Sequence, residues 1–533
     1  MRLGRAIYFI FVALTFATQS ARADRILRYP IYSEPESLDP QQTTGAQEWA
    51  IIRHMFIGLL SLDPHGRAVP GIAESWDISG DGKLWTFHLR NDAKWSNGDP
   101  ITSEDFVYSF RRLVDPESGT AGSPDLFEVT NAISIATGKE KDITKLGVDA
   151  PDAHTFRIFF VNPRTIMPLL LTDPMLVPLH RATIERWGNK WTRPENIVSD
   201  GPYIMTSWVP QSGITMIRNP YFYDLNAVSI SQVNFVEVEQ SSVELKQFRA
   251  GELDWAHLTP ATIEWARQNG HDDFHSVPSN GYSFLFFNMT SGVLAHDIRI
   301  RQALAMSINR EVLIEKVAPL GQAAAYGILP PVITGYTRQE MLFKNQSMNE
   351  RIDRAKKLIY KAGYSDKNPL SVNIIYPRNP EIYRVLFAIS KMWEEIGVKT
   401  TLEDMEWQAL LGRKKSQNFE IGYVSGLGNY DDPEPALENF RSDAGNYNYG
   451  GYKNQKFDVL FQEAMSATDI ELHRQILSRC ERMVLDDYPV IPLWYLQNNW
   501  MVVPQLKGWD FASIFPQARY LSFSQVEKQA LNP

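Results

Sequence analysis

Residues 428–435 read GNYDDPEP and place three acidic side chains, Asp431, Asp432 and Glu434, beside an aromatic residue and two prolines. Clustered carboxylates of this kind could bind a positively charged group of a ligand. Asn and Asp next to Pro also form ordinary surface turns, because their side chains hydrogen-bond to the nearby backbone. The residue types alone leave both interpretations open.

The sequence contains none of the common catalytic motifs. G-x-S-x-G, G-x-x-x-x-G-K-[ST], H-E-x-x-H and C-x-x-C are all missing, and the glycines of GYVSGLG do not flank Ser425 at the spacing of a nucleophile elbow. The acid pairs Asp431/Asp432 and Asp486/Asp487 would support glycoside hydrolysis only at a suitable separation, and the second pair is typical of a helix end. We therefore expect that the protein is not an enzyme, with a secreted hydrolase as the alternative from another class.

Metal and thiol chemistry receive little support from the sequence. His271 and His275 lie four residues apart, but Asn269-Gly270 indicates a turn and no third ligand is suggested, so we expect a polar loop there and neither a metal nor a cofactor. The single cysteine, Cys480, cannot form a disulfide within the chain, and we expect a buried core thiol. The apolar residues at helical spacing with it are Leu472, Ile476 and Met483.

Several segments have clear signals for secondary structure. Leu84–Arg90 alternates between apolar and polar residues and predicts a strand. ITSEDFVYSFRRLV predicts a helix that Thr102 caps, with acids in its first turn. HDIRIRQALAMSINREVLIEKV predicts another helix, which begins at an Asp297 cap.

A βαβ unit precedes the acidic loop. Leu370–Tyr376 predicts a strand, Glu381–Ile396 a helix that Gly397 ends, and Val398–Met405 a second strand, so this part should hold a parallel sheet. NFEIGYVSG then predicts a further strand, and the acidic loop follows it. Ligands in open α/β sheets bind beyond the carboxyl ends of strands, so the position of the loop favours a binding site.

The composition and the N-terminus indicate an exported globular protein. The chain has 533 residues with a formal net charge of −9, which disfavours general nucleic-acid binding. Residues 1–23 combine arginines, a short apolar run and an A-x-A site, which predicts a signal peptide cleaved after Ala23. No cysteine lies at that site, so we do not expect a lipoprotein. Export without disulfides favours a bacterial periplasm.

One long stretch resembles a known family. GIAESWDISGDGKLWTFHLRNDAKWSNGDPITSEDFVYSFRRLVDP (Gly71–Pro116) is similar to the signature of the bacterial extracellular solute-binding proteins, family 5, which are peptide receptors of ABC importers. The resemblance covers essentially the whole mature chain in order. The further segments that resemble the oligopeptide-binding branch are SEPESLDP, WGNKWTRPENIVSDGPY, NPYFYD, FRAGELD, DIRIRQALAMSINREVLIEKV, KFDVLFQEAM and YPVIPLWYLQNNWMV.

The resemblance implies an α/β fold of the type II periplasmic-binding-protein kind, with two main lobes on a hinge and an extra inserted lobe. Lobe I would comprise residues 24–60, 190–290 and 490–533. The extra lobe would comprise residues 61–189, and lobe III residues 291–489. A ligand would lie between lobes I and III.

The implied function is a periplasmic receptor that binds peptides and hands them to ABC permease subunits in the inner membrane, which work with cytoplasmic ATPases. We expect a monomer that binds no nucleic acid. A receptor of the same fold for a non-peptide or N-blocked solute (an opine, haem or a metal chelate) is the first alternative. An exported chaperone or sensor partner that uses peptide binding is another.

The resemblance also implies binding residues in the run YVSGLGNYDDP. Asn429 takes the place of the family aspartate that fixes the peptide α-ammonium. Tyr423 replaces an arginine and Gly426 a tryptophan, which makes room for a larger group. Ser425 and Leu427 keep backbone places that would pair with an extended peptide.

Other candidates lie outside that run. The resemblance places Trp407 and the basic pair Arg413 and Lys414 near the ligand, together with Glu48 and the strand residue Asn288.

The replacement at Asn429 has a physical consequence. A buried ammonium needs a full negative charge, and Asn429 carries none. Either Asp431 or Asp432 turns inward to replace the acid, or the ligand lacks a free α-ammonium.

Overall fold

The structure is a computed structural model that describes residues 25–524, apart from residues 44, 121–125, 127, 270, 320, 429, 468 and 509–515. The predicted signal peptide and Asn429 lie outside the described residues. Within the described ranges, no helix has the length and apolar character needed to cross a bilayer.

The strands are numbered in chain order. They are β1 Ile26–Ile31, β2 Leu60–Leu62, β3 Ala68–Pro70, β4 Ala73–Ile78, β5 Leu84–Leu89, β6 Val148–Asp152, β7 Thr155–Phe159, β8 Tyr203–Val209, β9 Gly213–Arg218, β10 Gln232–Glu237, β11 Trp255–His257, β12 Phe274–Phe287, β13 Ala323–Ala324, β14 Leu370–Pro377, β15 Val398–Met405, β16 Ile421–Leu427, β17 Val490–Val502, β18 Leu506–Lys507 and β19 Ser522–Phe523.

The α-helices are numbered in the same way. They are α1 Ala46–Met55, α2 Ser103–Val114, α3 Ala132–Ala136, α4 Met167–Leu170, α5 Arg181–Trp187, α6 Ser241–Arg249, α7 Pro260–Asn269, α8 Gly292–His296, α9 Ile298–Met306, α10 Arg310–Val312, α11 Met348–Lys361, α12 Pro380–Glu394, α13 Trp407–Lys415, α14 Glu434–Glu438, α15 Gln455–Ser466 and α16 Ile470–Asp487.

Two large hydrophobic cores organise the chain. The first includes buried residues between Leu27 and Phe235, together with residues near the C-terminus such as Trp500. It holds the sheet β1-β10-β9-β8 and the sheet β4-β5-β7-β6. The second core includes buried residues between Leu285 and Trp494. The predicted lobe I and extra lobe thus share one continuous core.

The second core is built on a mixed sheet of order β11-β17-β12-β16-β14-β15. β14 lies parallel to β15 and to β16, and α12 connects β14 to β15. The predicted βαβ unit is therefore confirmed, with Val398–Met405 matching β15 at both ends. Gly397 has a φ of 80°, in the region that favours glycine, and so ends the crossover.

The strands β12 and β17 run through both cores. Residues 274–278 of β12 pair with 497–501 of β17, and residues 282–286 pair with 490–495. The register shifts between Pro278 and Tyr282, so the ladder is irregular where the strands pass from one core to the other. The three-lobe division remains a prediction. Its boundaries at residues 290 and 490 lie just after the end of β12 and at the start of β17.

The capping signals in the sequence predicted the first residues of two helices correctly. Thr102 and Asp105 form a capping box at α2, and the Asp297 side chain accepts from the Arg299 backbone N–H at α9. The predicted continuous helix through Val317 is wrong, because α9 ends at Met306. Asn309 accepts from the Val312 N–H at 3.1 Å and so caps a new helix, α10.

Cys480 lies buried in the second core, as predicted. Burial raises the pKa of its thiol to about 12, which keeps it protonated and unreactive. Its predicted neighbour Leu472 is 49% exposed and does not share this environment.

Candidate functional site

The acidic loop turns the carboxylates of Asp432 and Glu434 into the protein, whereas Asp431 stays partly exposed. Asp431 Oδ1 accepts from the Thr334 N–H at 2.8 Å. Asp432 is 3% exposed, and its Oδ1 accepts from the Glu434 N–H at 2.9 Å. The prediction that one of them replaces the ammonium-binding acid therefore finds no support for Asp432, because its side chain is fully enclosed. Asp431 is half-buried with one oxygen engaged.

Asp432 and Glu434 belong to a buried ion cluster with Arg164, His473 and Arg474. Arg164 Nε donates to Glu434 Oε1 at 2.9 Å, and His473 Nε2 lies 3.3 Å from Asp432 Oδ1 and 3.6 Å from Glu434 Oε2. Arg474 Nε lies 3.6 Å from Asp432 Oδ2. Burial lowers the pKa of His473, but hydrogen bonding to Asp432 and its charge outweigh that effect and raise it overall. Burial raises the pKa of Glu434.

The cluster has the ligand types of a metal site, but its carboxylates are already neutralised by positively charged side chains. Ligand atoms of Asp432, Glu434 and His473 all lie within 4.8 Å of one another. Arg164 and Arg474 already place two positive charges against the two carboxylates. The cluster therefore suits an internal ionic tie that joins the loop, α16 and the segment after β7.

The side of β16 away from β12 is an open strand edge. β14 pairs only with Ile421 and Gly422, and no other described strand covers this edge. Hydrogen bonds from Gly428 N–H to Asn280 O and from Asn288 N–H to Glu420 O show that even-numbered residues bond to β12. By the same alternation, the odd-numbered residues direct their backbone N–H and C=O groups to the open edge. These residues are Tyr423, Ser425 and Leu427.

Lys414 lies at the start of this edge. It is 2% exposed, and its Nζ donates to Tyr423 O at 3.0 Å. Nζ is also 5.3 Å from the ring centroids of both Phe286 and Tyr449 and 5.9 Å from that of Trp407. Burial lowers the pKa of Lys414 from 10.5 to about 8.

An aromatic cavity of about 190 Å³ lies on the same face of the sheet. Tyr282, Phe284 and Phe286 project into it from β12 and Val424 from β16, while residues 439–452 complete its wall. Sequence reasoning missed these aromatics. The alternation of aromatics in GYSFLFF was the available signal, but only the register with β16 shows which face they line.

The remaining predicted residues of the run are placed as follows. Tyr423 is buried, and its hydroxyl accepts from Ser283 Oγ at 3.0 Å, so its side chain faces the interior. Gly426 lies opposite Tyr282, and a Cβ on it would lie 3.5 Å from that ring. The Ser425 side chain is exposed. The Leu427 side chain lies outside the described part of the structure, as does all of Asn429.

Asn288 and Arg413 make internal contacts. Asn288 Nδ2 donates to Gln417 O and Phe419 O, and its Oδ1 accepts from Thr290, so the amide ties the end of β12 to the turn before β16. Arg413 Nε donates to Asn418 O at 2.6 Å, and Nη1 lies 3.2 Å from Glu403 Oε1. The predicted ligand contacts of both side chains therefore compete with bonds that they already make.

Trp407 and Glu48 are more accessible. Trp407 is 52% exposed at the start of α13. Glu48 is half-buried in the first turn of α1, where its carboxylate lies against Gly45 and favours the helix dipole.

The sequence matches the model of the bacterial extracellular solute-binding proteins, family 5 Middle, over residues 67–448. It is 32% identical over 482 residues to the periplasmic oligopeptide-binding protein OppA of Escherichia coli, which covers 90% of this chain and 88% of the relative.

Two solved structures have similar folds. The unliganded open form of the periplasmic murein tripeptide-binding protein MppA has a TM-score of 0.83 at 28% identity, covering 94% of this chain and 98% of that one. Haemophilus influenzae OppA in complex with the peptide RPPGFSPFR has a TM-score of 0.76 at 30% identity, covering 94% and 99%. The present structure is therefore more similar in overall shape to that open form than to that peptide complex.

Proposed function

The chain belongs to the bacterial extracellular solute-binding proteins of family 5, and from this premise we propose that it is a periplasmic receptor that binds peptides between two closing lobes and delivers them to an ABC importer. The observation that carries the proposal is the open edge of β16 in a chain of this family. The relative from Escherichia coli is named an oligopeptide-binding protein, and the Haemophilus influenzae structure is a complex with a nine-residue peptide.

The open edge suits the backbone of an extended peptide. A peptide added as a strand would use the N–H and C=O groups that Ser425 and Leu427 direct away from β12. Main-chain hydrogen bonds of this kind give an affinity that does not depend on the side chains of the peptide. Specificity then falls to the pockets on either face of the sheet, where every second side chain of an added strand points.

Closure would take place about β12 and β17. Both strands connect the two cores, and their ladder is irregular between Pro278 and Tyr282. Bending at this point changes the relation of the cores while each half of the ladder stays intact. Hinges of this kind are a common way for domains to close around a ligand.

The receptor would act without chemistry of its own. It would work as a monomer, without a metal or cofactor, and pass its ligand to permease subunits in the inner membrane that couple to cytoplasmic ATPases. Export would follow cleavage of the signal peptide after Ala23 and leave a protein with no lipid anchor.

The proposal is tested by calorimetric titration and thermal shift with free-amine peptides of three to five residues. A peptide present at 100 times its Kd should stabilise the protein by about 2.7 kcal/mol. Chromatography of the same mixtures should recover the peptides intact. Failure of every peptide to bind would overturn the proposal, and steady cleavage by the pure protein would support the hydrolase alternative instead.

A further inference from the structure

A short part of β12 bulges out of its ladder with β17 at the boundary between the two cores. The register shifts between Pro278 and Tyr282, so that residues 279–281 lie opposite only Leu496 of β17. A bulge of this kind disrupts the ladder locally, and it bends and twists the strand that carries it. On the other side of β12, Gly281 still pairs with β16. When β12 bends at the bulge, we therefore expect β16 to move with it.

Asn280, the middle residue of this bulge, holds the segment that follows β16. Its backbone oxygen accepts from the Gly428 N–H at 2.5 Å, and its side-chain Nδ2 donates to Tyr430 O at 2.6 Å. Gly428 comes directly after Leu427, at which β16 and its open edge end. One residue of the bulge thus fixes the chain at two points just beyond the edge that would receive a peptide.

The Asn280 side chain lies directly against Gly428. A Cβ on Gly428 would lie 2.5 Å from Asn280 Nδ2 and 2.8 Å from Cγ, closer than side chains approach one another in proteins. A larger residue at this position would push the amide away from Tyr430 O. The close approach of the two residues therefore requires glycine at position 428.

Tyr430 contacts the other core. Its side chain packs against the first core, although β16 before it and α14 after it belong to the second core. Further along the chain, Glu434 Oε1 accepts from Arg164 Nε at 2.9 Å, and Arg164 is two residues from the buried Ile166 of the first core. The segment after β16 therefore lies between the two cores, at the same boundary as the bulge.

Building on the proposed peptide-receptor function, we propose that Asn280, packed on Gly428, is a positioning residue that couples bending of the β12 bulge to the end of the peptide-binding edge. When β12 bends, its two hydrogen bonds move Gly428 and Tyr430 with it. The backbone groups that Ser425 and Leu427 offer to a peptide then depend on the angle between the cores. Binding at the edge and closure of the cores favour each other through this residue.

The first measurement needs no ligand. Spin labels are attached at Lys139→Cys, which follows α3 of the first core, and at Lys357→Cys, on α11 of the second core. Both positions are exposed, whereas Cys480 is buried. The distribution of label distances, measured by double electron–electron resonance, should be broader in Asn280→Ala than in the labelled wild type. Identical distributions would overturn the inference even if peptide affinity falls, because Asn280 would then act only locally.

The second measurement is calorimetric titration with trialanine at pH 7. Asn280→Ala loses one hydrogen bond that holds the end of the edge, so its Kd should rise roughly twofold to tenfold. Asn280→Asp has the same size but turns acceptor oxygens toward Tyr430 O, so its Kd should rise further. A wild-type Kd in Asn280→Asp would overturn the inference.

The matched control is an amide in the first-core part of the chain. Asn196 Nδ2 donates to Lys190 O at 2.9 Å, a bond of the same kind that lies away from the bulge. Asn196→Ala should leave both the Kd for trialanine and the label distances unchanged. Equal changes in Asn196→Ala and Asn280→Ala would overturn the inference, because the effect would not belong to the bulge.

A double variant tests the contact between Asn280 and Gly428. Gly428→Ala should raise the Kd as Asn280→Ala does, because the added methyl group displaces the amide. The double variant should bind no more weakly than Asn280→Ala alone, since the displaced group is then missing. Losses that add in full would show that the glycine and the amide act independently, which would overturn the inference.

The outcomes separate this inference from the proposed function. If trialanine binds Asn280→Ala with the wild-type Kd and the label distances are unchanged, the receptor function stands and this inference fails. If no peptide of three to five residues binds the wild-type protein while Asn280→Ala broadens the label distances, the receptor function fails. The coupling of the bulge to the segment after β16 then stands without a peptide.

Discussion

Two buried charged regions lie at opposite ends of the same strand and loop, and they are built differently. In the ion cluster of Arg164, Asp432, Glu434, His473 and Arg474, each charge faces an opposite one. Lys414 instead faces two aromatic rings and a carbonyl. The first arrangement pairs each charge with an opposite one, although Asp432 Oδ2, Glu434 Oε2 and Arg474 Nε make no hydrogen bond among the described residues. The second arrangement pairs an ammonium with a neutral carbonyl and aromatic faces. The contrast is between buried charges that opposite charges neutralise and a buried charge that aromatic rings and a carbonyl surround.

The largest effect should come from breaking the complete cluster. Glu434→Ala leaves Arg164 without its carboxylate, and removing one partner of a buried pair costs about 3–5 kcal/mol. We expect a loss of this size in the free energy of unfolding, measured by urea denaturation.

A surface pair provides the control. Glu438 lies 3.3 Å from Arg441 and is partly exposed, so Glu438→Ala should cost about 1 kcal/mol or less. If both variants lose the same small amount, the cluster does not hold the fold.

The second effect is a pH dependence that belongs to Lys414. Because its pKa falls from 10.5 to about 8 on folding, the unfolded chain binds more protons between these values, and stability rises with pH in that window. The unfavourable contribution is fully present below pH 8. The difference in unfolding free energy between wild type and Lys414→Met should therefore change by up to about 1.4 kcal/mol per pH unit.

The difference between wild type and Lys414→Met is used because Tyr449, which faces Lys414, also titrates at high pH. Burial raises the pKa of Tyr449. Tyr449→Phe should keep the slope if the lysine is responsible. A flat difference curve between pH 8 and 10 would mean that Lys414 has found a partner in the empty protein.

The third effect concerns the open edge. Ser425→Pro removes a backbone N–H that points away from β12, so the ladder to β12 survives while one bond to an added strand is lost. One hydrogen bond is worth about 0.5–1.5 kcal/mol, so peptide affinity should fall by roughly twofold to tenfold. Ser425→Ala keeps the N–H and should bind normally. Equal affinities in calorimetry for both variants would argue against strand addition here.

The smallest effect should follow Trp407→Ala. The ring is half-exposed and 5.9 Å from Lys414 Nζ, so its removal should change the free energy of unfolding by no more than about 0.5 kcal/mol. A larger loss in a thermal melt would show that the tryptophan helps to hold the lysine in place.

The sequence predicted the scaffold better than the charges. Val398–Met405 and its crossover were recognisable because helix, glycine and strand signals follow one another locally. The inward direction of the Asp432 side chain was not recognisable from the sequence, because its partner His473 lies 41 residues away in the chain. The break between α9 and α10 depended on Asn309 capping a new turn, a choice that the apolar pattern does not reveal.

The aromatic cavity was hidden for a similar reason. Tyr282 and Phe286 become one surface with Tyr449 only after β12 and β16 pair in register and a distant loop covers them. Residue types at the family motif indicated β16 and Lys414, and the binding role of both stays a prediction. They did not distinguish side chains that are free to bind from those, such as Asn288, that are already occupied.

The open edge of β16 has a further consequence for the empty protein. Exposed strand edges invite pairing with other chains and so promote aggregation, and proteins often protect them with a lysine. Lys414 already occupies the carbonyl of Tyr423 at one end of this edge. The ammonium of Lys414 thus hinders another strand from pairing with that carbonyl, and we expect Lys414→Met to aggregate more readily than the wild-type protein when no ligand is bound.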